Sequence, residues 1–167
     1  MTDSRYKNMM RKVGDIRGAA MVLSLLDRLI TLFVAVSYIG LIILLFMKRS
    51  PDLIPAVLVP GLSFGLVSLF RSRFGAKRPY EVYDTPPVLK KDTAGKSFPS
   101  RHVFSIFVLG VTFFIQSHVY GVIVLILGLV LGTVRVVGGV HFIKDVVVGA
   151  LLGLVSGLLE YLIIFYA

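Results

Sequence analysis

The chain has 167 residues, is 56% hydrophobic and contains no cysteine, and its mean hydropathy of +0.88 lies far above that of a soluble domain. Disulfides, thiolate metal sites and cysteine nucleophiles are therefore excluded, and the fold class expected is all-α, a polytopic transmembrane helical bundle in one domain. Eighteen Lys and Arg against nine Asp and Glu give a formal charge of +9, which on a membrane protein favours anionic headgroups or a phosphorylated substrate over nucleic acid.

The first twenty residues are polar and basic, with none of the apolar core and small-residue cleavage site of a secretory signal. Across residues 1–28, Met9, Val13, Ile16, Ala20, Leu23 and Leu26 recur at helical spacing among Arg5, Lys7, Arg11, Lys12, Arg17 and Arg28. That pattern predicts an interfacial amphipathic segment lying on the bilayer surface. A transmembrane domain over 29–167 follows. Its first span, 29–47, has the roughly 20 residues a bilayer requires, and Lys48, Arg49, Ser50 and Pro51 close it. The second, 52–70, carries Pro55 and Pro60, which neighbouring helices can accommodate.

Residues 71–99 form a polar connection rich in Lys, Arg, Pro and Gly, of a length that marks function more often than idleness. Spans over 100–117, 119–137 and 141–166 complete the count at five. In the last, Gly149, Gly153 and Gly157 make a small-residue ladder that admits close helix approach. Packing inside the chain is the simpler use of that ladder; a homodimer is the other. With no Trp, Tyr and Phe must supply any interfacial belt.

If five spans alternate in direction, the end of the second, the start of the third, the end of the fourth and the start of the fifth share one membrane face. Three polar clusters then converge: Arg71, Lys77 and Arg78; Ser100, Arg101 and His102; Arg135, His141 and Asp145. Charges at membrane depth are costly, so they face a cavity, a partner or a substrate. Guanidinium groups bind phosphate oxygens through bidentate, charge-assisted hydrogen bonds. A set with a single acid suits phosphate and suits Mg²⁺ badly, and scattered His102, His118 and His141 do not make a zinc site. No metal and no cofactor are expected.

His141 and Asp145 stand i, i+4 at the start of a predicted helix. A carboxylate there fixes the imidazole tautomer and leaves the other nitrogen as a nucleophile. A protonated His102, on another helix at the same level, could serve as general acid. Serine chemistry lacks its G-x-S-x-G elbow.

Arg71, six residues, Arg78-Pro79; Pro99-Ser100-Arg101-His102; and Arg135, five residues, His141, three residues, Asp145 resemble the three-part signature of the type 2 phosphatidic acid phosphatases. That superfamily also holds the vanadium haloperoxidases. Its usual pattern is K-x6-R-P, P-S-G-H and S-R-x5-H-x3-D. The resemblance implies that Arg71, Arg78 and Arg135 hold phosphate, helped by Ser100 and backbone N–H groups. It implies that His141 attacks phosphorus, that Asp145 orients it, and that His102 protonates the leaving group. Three positions depart from the pattern. Arg71 fills a lysine slot, Arg101 replaces a glycine and offers one more cation to a phosphate or second headgroup group, and Val134 replaces a serine.

Lys77 is either rim or substrate contact, whereas Arg73, Lys90, Lys91 and Lys96 read as a basic rim drawn to anionic lipid. His118 reads as a solvated turn residue, Lys144 as a possible ion-pair partner of Asp145, and Glu160 as snorkelling or pairing with another helix. The leading expectation is a multi-pass cell-membrane phosphatase of a lipid phosphate or diphosphate, such as phosphatidic acid, phosphatidylglycerol phosphate or undecaprenyl diphosphate. The compact five-span plan with a surface N-terminal helix resembles the small bacterial prenyl-diphosphate phosphatases, and that resemblance implies a slight preference for the prenyl diphosphate. A non-catalytic lipid-phosphate binding or transport protein is the alternative. A positive-inside count would make the cluster face cytoplasmic, but several of those cations are proposed ligands, and the resemblance places the active site on the extracytoplasmic face.

Overall fold

Long apolar runs in a bilayer must satisfy their own backbone groups, and a helix does so within the segment. The computed structural model describes residues 2–90 and 94–166, and among them the regular elements are seven helices. α1 spans Asp3–Gly14, α2 Ala19–Met47, α3 Leu53–Phe74, α4 Pro79–Val82, α5 Arg101–Gln116, α6 His118–Val137 and α7 Ile143–Tyr166. α2, α6, α7 and the stretch from α3 through α4 are long and apolar enough to cross a membrane. α5 has 16 residues, about 24 Å at 1.5 Å per residue. It can be short because it lies in the middle of the bundle, with Val103, Phe104, Ile106, Phe107, Val108 and Phe113 buried.

The segment expected as one surface helix over 1–28 is two elements. Gly18 adopts a φ of +85°, a left-handed conformation that glycine takes without steric cost, and the helix restarts at Ala19 as the first turns of α2. α1 presents Tyr6 and Met10 to the protein, a face shifted from the Met9–Ile16 stripe; Ile16 remains 62% exposed. The reason is a specific dock. The Tyr6 hydroxyl donates to the Gly139 carbonyl at 3.1 Å and reaches that of Thr85 at 3.4 Å. Burial pushes its pKa up to about 12, so it stays a donor.

Strand-like alternation is absent from the long runs, and the helices alternate in direction as counted. Arg135 near the end of α6 meets Asp27 near the start of α2, while Gln116 at the end of α5 donates to Asp52 before α3 at 3.0 Å on the opposite face. His118 sits exposed on that opposite face, its ring 4.6 Å from Phe114. Glu160 pairs instead of snorkelling: it is buried in α7 and accepts from the Thr112 hydroxyl of α5 at 2.6 Å.

α7 rides directly on α5. A Cβ at Gly149 would stand 2.7 Å from the Ser100 carbonyl, one at Gly153 2.6 Å from the Phe104 carbonyl, and one at Gly157 2.3 Å from the Val111 Cβ. The glycine ladder is thus consumed within the chain, which leaves it unable to serve as a dimer seam. Gly153→Ala should therefore lower stability by about 1–3 kcal/mol, the usual cost of overpacking. Gly40→Ala, where nothing lies within 4 Å, should leave it unchanged or raised. Thermal unfolding of both variants in detergent checks the contrast; equal midpoints would contradict it.

Candidate active site

The alternation brings the polar clusters to one end of the bundle, around a cavity of about 500 Å³. Arg71 enters from the last turn of α3, Arg78 from the residue before α4, Arg101 and His102 from the first turn of α5, Arg135 from the last turn of α6, and His141 from the turn before α7. Ser68, Ser72, Gly95 and Lys96 complete much of the wall. Four guanidinium groups and two imidazoles thus share one space.

His141 precedes the helix instead of lying on it; α7 begins at Ile143. Its Nδ1 faces the Asp145 Oδ2 at 3.5 Å, beyond ordinary hydrogen-bond length. That oxygen already accepts from the Ser97 hydroxyl at 2.5 Å and the Phe142 N–H at 3.0 Å. The latter is the reach of a third-position side chain back to a helix start, where a carboxylate also complements the helix dipole. Contacts of this kind are commonly long before substrate arrives and tighten with it. With Nδ1 turned to Asp145, Nε2 is the nitrogen left for the cavity. Burial, with nearby Arg78 and Arg135 adding to it, pulls the His141 pKa down to about 4, so the ring is neutral at physiological pH. Lys144 does not pair with Asp145: its ammonium lies 5.5 Å over the Phe142 ring.

The arginines are held from behind. Arg71 donates to the carbonyls of Pro99 and Lys96. Arg78 donates from Nε to Gly95 at 3.1 Å and from a terminal nitrogen to Val140 at 3.0 Å, and Glu81 ties the same loop through the Arg78 and Gly95 N–H groups. Arg135 is gripped on one edge by Asp27, at 2.6 Å to Nε and 2.9 Å to a terminal nitrogen. Each guanidinium has five donors, so these anchors leave others for an anion.

Three candidates stand outside the wall: Asp145, already placed beside the His141 ring, Ser100 and Lys77. Ser100 is fully buried, its Oγ without a hydrogen-bond partner among the described residues, while its N–H donates to the Asp145 carbonyl at 2.9 Å. Lys77 is exposed and does not line the cavity, which makes it rim. Lys96, expected on the rim, does line it. Lys91 lies outside the described residues. Sequence reasoning missed Ser97, whose position two residues before Pro99 was its one available signal, and Asp27, an isolated acid inside an apolar helix.

The chain is similar to several known proteins. The model of the family described as the PAP2 superfamily matches residues 52–167. The bacitracin transport permease protein BcrC of Bacillus licheniformis is 34% identical over 85 residues, 49% of this chain and 42% of that protein; the match thus spans less than half of that relative. The crystal structure of Aquifex aeolicus LpxE superposes with a TM-score of 0.72 at 23% identity, covering 95% of this chain and 93% of that one. A transmembrane PAP2 type phosphatidylglycerolphosphate phosphatase from Bacillus subtilis superposes with a TM-score of 0.63 at 24% identity, covering 95% and 83%. The two structures share the fold.

The burial of His141 is directly measurable. Histidine ring NMR should place its titration midpoint near 4, and Arg78→Ala, by removing a cation that disfavours the charged ring, should move the midpoint upward. A midpoint near 6.5 in the unmodified protein would contradict the buried placement.

Proposed function

The chain belongs to the PAP2 superfamily, and from that premise we propose that it is an integral membrane lipid phosphatase, releasing phosphate from a lipid phosphate or diphosphate. The observation that carries this reading is the shared cavity: Arg71, Arg78, Arg101 and Arg135 surround a space that His102 and His141 also enter. Such a cluster repels itself unless an anion fills it. Phosphate matches both its charge and its fork geometry.

In this reading Arg71, Arg78 and Arg135 hold the phosphoryl oxygens, with backbone N–H groups and Ser100 supporting the wall. The His141 Nε2 attacks phosphorus. The bond from phosphorus to the leaving oxygen breaks with its electron pair on that oxygen, which takes a proton from His102. Water then attacks the phosphohistidine and gives a proton back to His102; the N–P bond breaks and phosphate leaves. Asp145 keeps the proton on Nδ1, and Ser97 positions Asp145. The fixed cations face the charge that develops in both steps, the arrangement that contributes most to reactions of this type. The ligand set is cationic, so the step needs no metal.

The B. subtilis neighbour is described as a phosphatidylglycerolphosphate phosphatase, a reaction of the same class. The cavity is proposed to open on the extracytoplasmic face of the cell membrane. Arg71, Arg78 and Arg135 are buried ligands in this reading and carry no weight in a positive-inside count.

Purified protein in detergent should release phosphate from a panel of phosphatidic acid, phosphatidylglycerol phosphate and prenyl diphosphate. Release should survive EDTA, be inhibited by vanadate, and vanish in His141→Ala. His102→Ala should lose about 10²–10⁴-fold, the usual contribution of a general acid. Lipid binding without release would make the chain a lipid-phosphate carrier, and activity that disappears with EDTA would overturn the mechanism.

A further inference from the structure

The polar cavity does not stand alone. An apolar cavity of about 280 Å³ adjoins it, walled by Val34 and Ala35 of α2, Phe64 of α3, and Ile106 and Leu109 of α5. Arg101 and His102 belong to both linings. A further hollow shares Phe64, Ser105 and Leu109 and continues past Pro60 and Gly61 to Tyr38. Arg101, Ser105 and Leu109 are spaced i, i+4, i+8, one face of α5, and cover about 12 Å at 1.5 Å per residue. That face therefore runs from the charged mouth into the apolar interior.

The position of Arg101 differs from that of the other arginines. Arg71, Arg78 and Arg135 are buried and anchored to carbonyls or Asp27. Arg101 is exposed, and its guanidinium lies over the Phe64 ring at 5.7 Å, at the threshold between the two cavities. Any ligand with its phosphorus beside His141 and its tail beneath Phe64 must pass this cation with the group that joins them. A neutral glycerol linkage gives a guanidinium little to bind; a second phosphate gives it a charge-assisted hydrogen bond.

Resting on the phosphatase reading, we propose that Arg101 is a specificity-determining residue for a second phosphate, so that the substrate is a lipid diphosphate. Its terminal phosphorus lies among Arg71, Arg78, Arg135 and His141, its inner phosphate against Arg101, and its apolar tail along α5 between α2 and α3. The bond from the terminal phosphorus to the bridging oxygen breaks, and its electron pair stays on the inner phosphate. His102 protonates that oxygen, and the products are inorganic phosphate and a lipid monophosphate. Arg101, one residue away, faces the charge that the bridging oxygen gains.

Farnesyl diphosphate and farnesyl monophosphate carry the same tail and isolate the second phosphate. The ratio of kcat/KM for phosphate release, diphosphate over monophosphate, should fall about tenfold in Arg101→Gln, the scale of one charge-assisted hydrogen bond, and recover in part in Arg101→Lys. Binding of the methylene-bridged diphosphonate analogue to His141→Ala should weaken by a similar factor when Arg101→Gln is added. An unchanged ratio overturns the proposal, as does release from phosphatidic acid with none from farnesyl diphosphate, and both leave the phosphatase reading intact. No release from any lipid, with analogue binding that still depends on Arg101, overturns the phosphatase reading and keeps the diphosphate site; loss of that dependence as well ends both.

Discussion

Like charges crowded at the end of an apolar bundle are the constraint on which the rest of this structure turns. Arg71, Arg78 and Arg135 are each nearly fully buried, and a buried cation is tolerated only when paired or hydrogen-bonded. The chain meets that demand with unlike devices. Backbone carbonyls of residues 95, 96, 99 and 140 take up Arg71 and Arg78, whereas the carboxylate of Asp27 takes up one edge of Arg135. Carbonyls orient a guanidinium without neutralising it, so the cavity keeps a positive excess. In the proposed function a substrate phosphate would supply the missing negative charge.

Such a cluster forms only if helix ends arrive at one level, and backbone proximity does much of that. The glycines of α7 let it settle on α5, with the Ser100 and Phe104 carbonyls and the Val111 side chain where side chains at the glycine positions would otherwise stand. The Ser100 N–H then reaches the Asp145 carbonyl, which locks the start of α5 beside the start of α7. His102 and His141 acquire their common cavity from that register. From above, α1 fastens the turn that carries His141 through the Tyr6 hydroxyl and the Gly139 carbonyl. The N-terminal helix is therefore part of the support of the site as well as a surface element.

Much of this was legible from residue order, for definable reasons. Span bounds in the last three helices fall within two residues of their apolar runs because a bilayer sets the length and polar residues end it. The convergence of Arg71, His102, Arg135 and His141 followed from alternation alone. Other features depend on contacts between residues far apart in the chain. Asp27 and Arg135 are 108 residues apart, and no local pattern marks that pair. Ser97 intercepts the carboxylate oxygen that i, i+4 spacing assigns to His141, a competition visible only in three dimensions. Gly18 broke a helix that the apolar spacing of residues 1–28 carried through without interruption, because periodicity says nothing of a left-handed residue within it.

The central claim is that separate helices deliver their cations to a single phosphoryl group beside the free nitrogen of His141. A structure determined with orthovanadate bound would test it most directly. Vanadium should lie within bonding reach of the His141 Nε2, with its oxygens met by the guanidinium groups of Arg71, Arg78 and Arg135. Vanadate bound elsewhere on the protein, or held in the cavity with the His141 ring turned away from it, would contradict the account.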